Sequence, residues 1–177
     1  MKLTNLFLLA AVFLGLFLIS AGCTQTESKT PVITPEMTLE PLQEYTSNET
    51  LVAFVESAVK YAKENGKEKA LLEFSNPNGT FVWGELYIYA YDFNGTTIAH
   101  PFNPEMIGVN RLNETDAQGN LFIKNLMNAA INGSGFVDFC YINPANNRTV
   151  EKKLGYVEKI DDDWWLGSGI YKGPLEN

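Results

Sequence analysis

The residues of this 177-residue chain best suited to chemistry are three tyrosines, the single histidine and one lysine. Tyr87, Tyr89 and Tyr91 occupy every second position of an aromatic run, so they share one face of a predicted strand and offer apolar rings with hydroxyl tips. His100 follows the next predicted strand and can donate from a ring nitrogen. Lys153 can supply a positive charge to a carboxylate. Donors and a cation of this kind suit the binding of a small anion.

Each of these residues also has a purely structural interpretation. Aromatic residues that alternate along a strand commonly belong to the core. A lone histidine can cap the end of a strand, and Lys153 beside Lys152 can be half of a solvated pair. Both interpretations are open at the level of sequence.

Signatures of catalysis are absent from the sequence. It has one histidine, no His/Cys cluster, no glycine-rich phosphate loop and no serine in a nucleophile elbow. The acidic turn 161–163 lacks oxygen ligands at calcium-loop spacing. We therefore expect no enzymatic activity, no metal and no cofactor. The net charge is -8, with 13 basic residues scattered among the acids, which argues against nucleic acid as a partner.

An apolar run from Leu6 to Ile19 follows Lys2 and predicts a signal peptide, since it is shorter than the roughly 20 residues that span a bilayer. It ends in Ser20-Ala-Gly-Cys23, which looks like a lipobox with Cys23 as the acylated residue. We predict a signal peptide over 1–22 and a lipid-anchored, disordered linker over 23–46, which is polar and contains prolines. A plain signal peptide cut near Ala21, or an uncleaved anchor, are the alternatives.

Two further features concern export and the second cysteine. Cys140 lies in an apolar, strand-like run and is interpreted as a small buried hydrophobe rather than a nucleophile. Six Asn-x-Ser/Thr sequons indicate an exported glycoprotein, although these residue types also favour turns. The sequons begin at Asn48, Asn78, Asn94, Asn113, Asn132 and Asn147.

Hydrophobic periodicity predicts an α+β domain. A capping pair of Thr46 and Glu49 precedes a helical apolar stripe that stops at Asn65-Gly66, and a shorter helix follows. Alternating residues then predict a hairpin turning at Asn94-Gly95, a long loop, a crossover helix and a three-strand meander. After the first helix, the predicted bounds are 68–74 for the second helix, 85–92 and 96–99 for the hairpin, 100–119 for the loop, 121–131 for the crossover helix, and 135–142, 150–160 and 164–171 for the meander.

This order of elements, together with several short segments, resembles the single Cache domain of the second type, a PAS-like extracellular sensor module. The resemblance covers about 51–171 and places one domain over 47–175. It implies a five-stranded antiparallel sheet with a long N-terminal helix on one face and a loop-helix crossover on the other, enclosing a small pocket. The segments that carry it are Tyr87-Ile-Tyr-Ala-Tyr-Asp92, Asn94-Gly-Thr96, Ala99-His-Pro101, Gly108-Val-Asn110, Lys153-Leu-Gly-Tyr-Val157 and Trp164-x-x-Gly-Ser-Gly-Ile-Tyr171.

The resemblance implies extracytoplasmic sensing of a small metabolite, a short carboxylate or an amino acid, and the predicted leader and lipobox add that the protein is anchored to the membrane. Its partners would be that ligand, the membrane, and a membrane receptor or transporter to which the ligand is presented. No apolar span follows the domain in this sequence, so we do not expect signalling through the chain itself. The alternative is a structural or adhesive surface lipoprotein without a ligand.

Within the implied pocket, we expect the three tyrosines, His100 and Lys153 to contact the ligand, because a buried anion needs converging hydrogen-bond donors. Four other residues are weaker candidates for ligand contact. They are Asn110, Arg111, Tyr156 and Trp164.

Overall fold

In the computed structural model, which describes residues 46–175, two consecutive helices open the domain: α1 (Asn48–Asn65) and α2 (Lys67–Phe74). The N-cap of α1 is Ser47, whose hydroxyl accepts a hydrogen bond from the N–H of Thr50 at 3.2 Å. The predicted capping pair of Thr46 and Glu49 is therefore wrong by one residue, because the extended backbone at Ser47 brings its oxygen to the third N–H of the helix. Both helices begin and end close to their predicted bounds.

The region predicted as one strand, 85–92, forms two. Strand β2 (Leu86–Tyr87) pairs with β1 (Val82–Trp83) in a separate two-stranded sheet, while β3 (Tyr89–Asp92) pairs with β4 (Thr97–Ala99). The break falls at Ile88, whose N–H donates to the carbonyl of Phe81 at 3.3 Å. The turn from β3 to β4 uses Gly95 at φ 85°, where a Cβ would lie 2.7 Å from Leu112 Cβ.

The main sheet has five antiparallel strands in the order β4-β3-β7-β6-β5, which confirms the α+β fold. Its long strands are β5 (Ser134–Asn143), β6 (Thr149–Lys159) and β7 (Trp164–Pro174), and α3 (Phe122–Ile131) crosses over before β5. None of the helices within 46–175 combines the length and apolarity needed to span a bilayer.

Two hydrophobic clusters lie on opposite faces of this sheet. Successive residues of β7 alternate between them, because side chains of a strand point to opposite faces. Trp164 and Leu166 pack in the cluster that contains the buried stripe of α1, whereas Trp165 and Tyr171 pack in the cluster formed with α3. The second cluster contains the predicted binding residues.

The long loop after β4 is fastened to the edge of the sheet by Asp116. Its carboxylate accepts hydrogen bonds from the backbone N–H groups of Cys140, Gln118 and Asn120 at 2.9–3.0 Å. Burial raises the pKa of this carboxyl, but the hydrogen bonds outweigh burial and bring the pKa below its usual value. The loop, which contains a short 3-10 helix over Pro104–Met106, is thereby held against β5. Cys140 itself is buried, and burial raises the pKa of its thiol, as expected for a structural residue.

Candidate functional site

A small, partly open cavity lies on the α3 face of the main sheet, between the strands, the crossover helix and the start of the loop. Its volume is about 10 Å³, roughly the space that one water molecule occupies. All five residues expected to contact a ligand line it, together with five that sequence analysis did not single out. The lining residues are Tyr87, Tyr89, Tyr91, His100, Phe122, Ile123, Leu126, Phe139, Tyr141 and Lys153.

Three glycines form the sheet surface beneath this cavity. A Cβ on Gly155 would lie 3.1 Å from the Tyr89 hydroxyl, and a Cβ on Gly167 would lie 3.1 Å from the ring of Tyr89. A Cβ on Gly169 would lie 2.7 Å from Lys153 Cε. Because none of the three carries a side chain, the ring of Tyr89 and the stem of Lys153 can lie directly on the strands. We call Gly155, Gly167 and Gly169 the glycine floor.

Lys153 is 1% exposed and its ammonium group lies among tyrosines. Its Nζ donates to the hydroxyls of Tyr87 at 2.9 Å and Tyr171 at 3.3 Å, and it lies 4.1 Å and 4.4 Å from the centroids of the same rings. An ammonium group has three donors, so one has no partner within 46–175. The ion pairs of that region do not include Lys153, and burial lowers its pKa from 10.5 to about 7.

His100 is also buried, and its hydrogen bonds fix the tautomer. Ring nitrogen Nδ1 accepts from the backbone N–H groups of Phe102 and Asn103 at 3.2 Å and 3.1 Å, so in the neutral ring the proton is on Nε2. Burial, followed by the positive charges of Lys153 and Arg111, lowers the pKa of His100 to about 3. The side chain is therefore a neutral donor near pH 7, and it also shapes the start of the loop.

Tyr141 supplies a third donor, which sequence analysis did not identify. Its hydroxyl oxygen accepts from Asn103 Nδ2 at 3.0 Å and from Arg111 Nη1 at 3.4 Å. With its oxygen occupied as an acceptor, the O–H of Tyr141 can donate into the cavity. One signal in the sequence was available: Tyr141 lies two residues after Phe139 on a predicted strand, so the two share a face.

Arg111 is placed beside the cavity rather than in its lining. Its guanidinium group forms a bidentate ion pair with Glu114, at 2.6 Å and 2.7 Å, and its Nη1 donates to the hydroxyl of Tyr91 at 2.8 Å. Burial lowers the pKa of Arg111, but the ion pair with Glu114 outweighs it and holds the pKa above its ordinary value. Since its charge is neutralised, Arg111 serves to position Tyr91 and Tyr141.

The structure does not bring the other three weaker candidates to the cavity. Asn110 is exposed and donates to the carbonyl of Asn94 at 2.7 Å. Tyr156 and Trp164 lie on the opposite face of the sheet, in the cluster with α1, because they alternate with the inward residues of β6 and β7. Trp164 Nε1 donates to Asp161 at 3.0 Å, so its polar atom is already satisfied.

The cavity has a polar side and an apolar side. Lys153, His100 and Tyr141 contribute donors at the polar side, whereas four apolar residues from α3 and β5 form the rest of the wall. No carboxylate lines the cavity, and no group of metal-ligating side chains occurs within 46–175. The polarity of this lining is therefore complementary to a small anion with a short apolar tail. The apolar residues are Phe122, Ile123, Leu126 and Phe139.

Comparison with known proteins places these observations in a family. The model of the family described as Single Cache domain 2 matches residues 49–175. Among curated proteins, the sensor histidine kinase MctS of Rhizobium johnstonii is 31% identical over 86 residues, which make up 48% of this chain and 18% of the kinase. The matched segment thus covers less than a fifth of that relative's length.

Solved structures of sensor domains have the same fold. A methyl-accepting chemotaxis protein from Vibrio parahaemolyticus superposes with a TM-score of 0.60 and 26% identity, over 70% of this chain and 86% of that one. A Cache chemosensory domain whose structure explains its recognition of carboxylic acids superposes with a TM-score of 0.60 and 23% identity, over 70% and 92% of the two chains.

Proposed function

We propose, from the premise that this chain belongs to the Single Cache domain 2 family, that the protein binds a short monocarboxylate outside the cytoplasm and acts as a sensor rather than an enzyme. The observation that carries the proposal is the buried Lys153, which has a donor to spare and no carboxylate at ion-pair distance within 46–175; the attraction of Glu85 raises its pKa by less than burial lowers it. A buried cation without a counter-ion is unfavourable, and an anionic ligand would supply the missing charge.

The composition of the wall supports a monocarboxylate over an amino acid. The lining contains one cation and no acidic side chain, so a second positive charge on the ligand would meet Lys153 without a carboxylate to compensate it. We propose that His100 Nε2 and the Tyr141 hydroxyl, whose side chains both line the polar side of the cavity, donate to the same carboxylate. A Cache domain of this fold recognises carboxylic acids, so the fold itself accommodates such ligands.

A thermal-shift screen tests this function. The full chain in detergent would be melted, with tryptophan fluorescence as the readout, against the sodium salts of acetate, propionate and butyrate, with sodium chloride as control and with amino acids and amines as competing classes. Ligand at a hundredfold excess over Kd adds about 2.7 kcal/mol to the free energy of unfolding, so we expect Tm to rise by several degrees. A panel without any shift would contradict the proposal and favour a structural or adhesive role, which the small cavity also permits.

The polar side of the cavity can be tested in the same assay by a conservative substitution. Tyr141→Phe removes one donor and keeps the ring, and a hydrogen bond to a charged group contributes about 1.5–3 kcal/mol. We expect the monocarboxylate that binds to do so about ten to a hundred times more weakly. Tyr156→Phe, on the opposite face of the sheet, is the matched control and should leave the affinity unchanged.

The anchoring of the protein is a separate part of the proposal. We propose that residues 1–22 are removed, that Cys23 carries a lipid, that residues 23–46 tether the domain over 47–175 to the membrane, and that a membrane receptor or transporter receives the signal. The asparagines of all six sequons are exposed, which supports glycosylation. The intact mass of the native protein from the membrane fraction should include an acyl modification that Cys23→Ser abolishes. An unchanged mass in that variant would contradict lipidation.

A further inference from the structure

The volume of the cavity requires a wall to move when a ligand binds. A space of about 10 Å³ is filled by a single water, whereas acetate, the shortest acid proposed as a ligand, has four heavy atoms. The side chain that moves to enlarge the cavity will also limit the length of the ligand that can bind.

Most of the aromatic wall is held by polar or stacking contacts. Tyr87 accepts from Lys153 at 2.9 Å, and Tyr91 accepts from Arg111 at 2.8 Å while stacking on Trp165 at 5.0 Å and 16°. Tyr141 accepts from two donors. Displacing any of these rings would break a hydrogen bond to a charged or amide group in a buried environment, which is costly.

Tyr89 is held by weaker contacts than the other lining tyrosines, and its ring lies over the glycine floor. Its hydroxyl makes one hydrogen bond, to the carbonyl of Ser168 at 3.2 Å, and its contacts with Tyr87, Tyr91 and Trp165 are edge contacts at 6.1–6.5 Å. Beneath the ring lies the glycine floor, which offers no side chain to lock its orientation. Tyr89 thus occupies the middle of the cavity wall, and among the lining tyrosines it is the one whose hydroxyl has no hydrogen bond to a charged side chain.

We propose that Tyr89 is the specificity-determining residue of the site: its ring is displaced along the glycine floor to admit the ligand, and its volume restricts the ligand to a short chain. The inference rests on the proposed binding of a monocarboxylate. The ring of Tyr89, rather than the polar groups that hold the carboxylate, determines how long an acid the site can bind.

A chain-length series tests this role in the full chain. Affinities of acetate, propionate, butyrate, pentanoate and hexanoate would be measured by thermal shift for the wild type, Tyr89→Leu and Tyr89→Phe. We expect the wild type to favour the shortest acids. The leucine variant should bind pentanoate about tenfold or more tightly than the wild type does, since one methylene in an apolar pocket changes affinity by about 10–200-fold. The phenylalanine variant keeps the ring and should keep the wild-type order.

Several outcomes would overturn the inference. A folded leucine variant with the wild-type order would show that another wall sets the length, and a phenylalanine variant that behaves like leucine would assign the effect to the hydroxyl. If Tyr89→Leu does not fold, Tyr89→Met serves instead: its flexible, unbranched side chain replaces the ring without adding a polar group, and it should bind pentanoate more tightly than the wild type does. An unchanged series in that variant would also count against Tyr89. Absence of any carboxylate binding by the wild type would instead refute the proposed function.

Discussion

Replacement of Lys153 with methionine is expected to abolish carboxylate binding and, in the same protein, to increase the free energy of unfolding. Burial lowers the pKa of Lys153 from 10.5 to about 7, and each pKa unit corresponds to about 1.4 kcal/mol. Holding the ammonium form in the fold therefore costs on the order of 5 kcal/mol when the side chain is charged. Methionine fills a similar volume without a charge.

The hydrogen bonds around Lys153 explain why its loss should not damage the core. The hydroxyl of Tyr171 donates to the carbonyl of Ile142 at 2.7 Å, and the hydroxyls of Tyr87 and Tyr171 lie 3.2 Å apart. Both tyrosines keep these partners when the amine is removed, so no buried polar atom is left unsatisfied. Replacing buried charges with apolar side chains often stabilises a protein by about 1–4 kcal/mol, and we expect a gain of that size at pH 6.

Urea unfolding at pH 6 and calorimetric titration with propionate would measure the two effects. Lys152→Met is the matched control, because Lys152 is the neighbouring lysine on β6 and does not line the cavity; its propionate affinity should equal that of the wild type. A Lys153→Met variant that still binds propionate would refute the role of the ammonium group. A loss of stability would show that the lysine contributes more through its contacts than its burial costs.

The sequence predicts the fold well where patterns are long and regular. The alternation of β5 to β7 and the apolar stripe of α1 place every long element, because each pattern spans several turns or pleats. The errors occur at short-range features: the N-cap falls at Ser47 instead of Thr46, and Ile88 divides the predicted strand 85–92. Such features depend on single hydrogen bonds that periodicity does not encode.

Regular alternation along the strands also made part of the site predictable. Period-two alternation brings the three tyrosines to one face, and the resemblance draws attention to His100 and Lys153; all five line the cavity. Tyr156 and Trp164 lie in segments that carry the family resemblance, which does not take account of the strand face, and the structure places both in the cluster with α1. Alternation places Tyr141 on the same face as Phe139, but the position of that face beside the three tyrosines, and of the glycine floor beneath them, depends on pairing between strands distant in sequence.

The opposite pH dependence of stability and of ligand affinity gives a second, independent test of the buried lysine. Between its folded pKa of about 7 and its unfolded value near 10.4, the unfolded chain binds a proton at Lys153 that the ligand-free fold does not. The free energy of unfolding of the ligand-free protein should therefore rise with pH in this window, by up to about 1.4 kcal/mol per unit, and this contribution should be lost as the pH falls through 7.

Binding of a carboxylate should show the reverse trend, because the ligand favours the ammonium form. Above pH 7 the amine must take up a proton when the anion binds, so we expect the affinity for propionate to fall about tenfold per pH unit between pH 7.5 and 9, and to be flat from pH 6 to 7. Four neighbours of Lys153 have pKa values shifted away from this range: burial lowers that of His100 to about 3 and raises those of Tyr87, Tyr89 and Tyr171 above 10.

Lys153→Met isolates the contribution of this lysine, because a variant without the amine should show neither of the pH trends, in stability or in affinity, that its titration causes. Urea unfolding of the ligand-free wild type and variant at pH 6, 7, 8 and 9 would give the two stability profiles, and titration of the wild type with propionate at the same pH values would give the affinities. Parallel stability profiles for wild type and variant would mean that Lys153 keeps its proton throughout, as an ammonium group with a counter-charge would. In that case the carboxylate would not be needed to neutralise Lys153, and anion binding would have to depend on the donors of His100 and Tyr141.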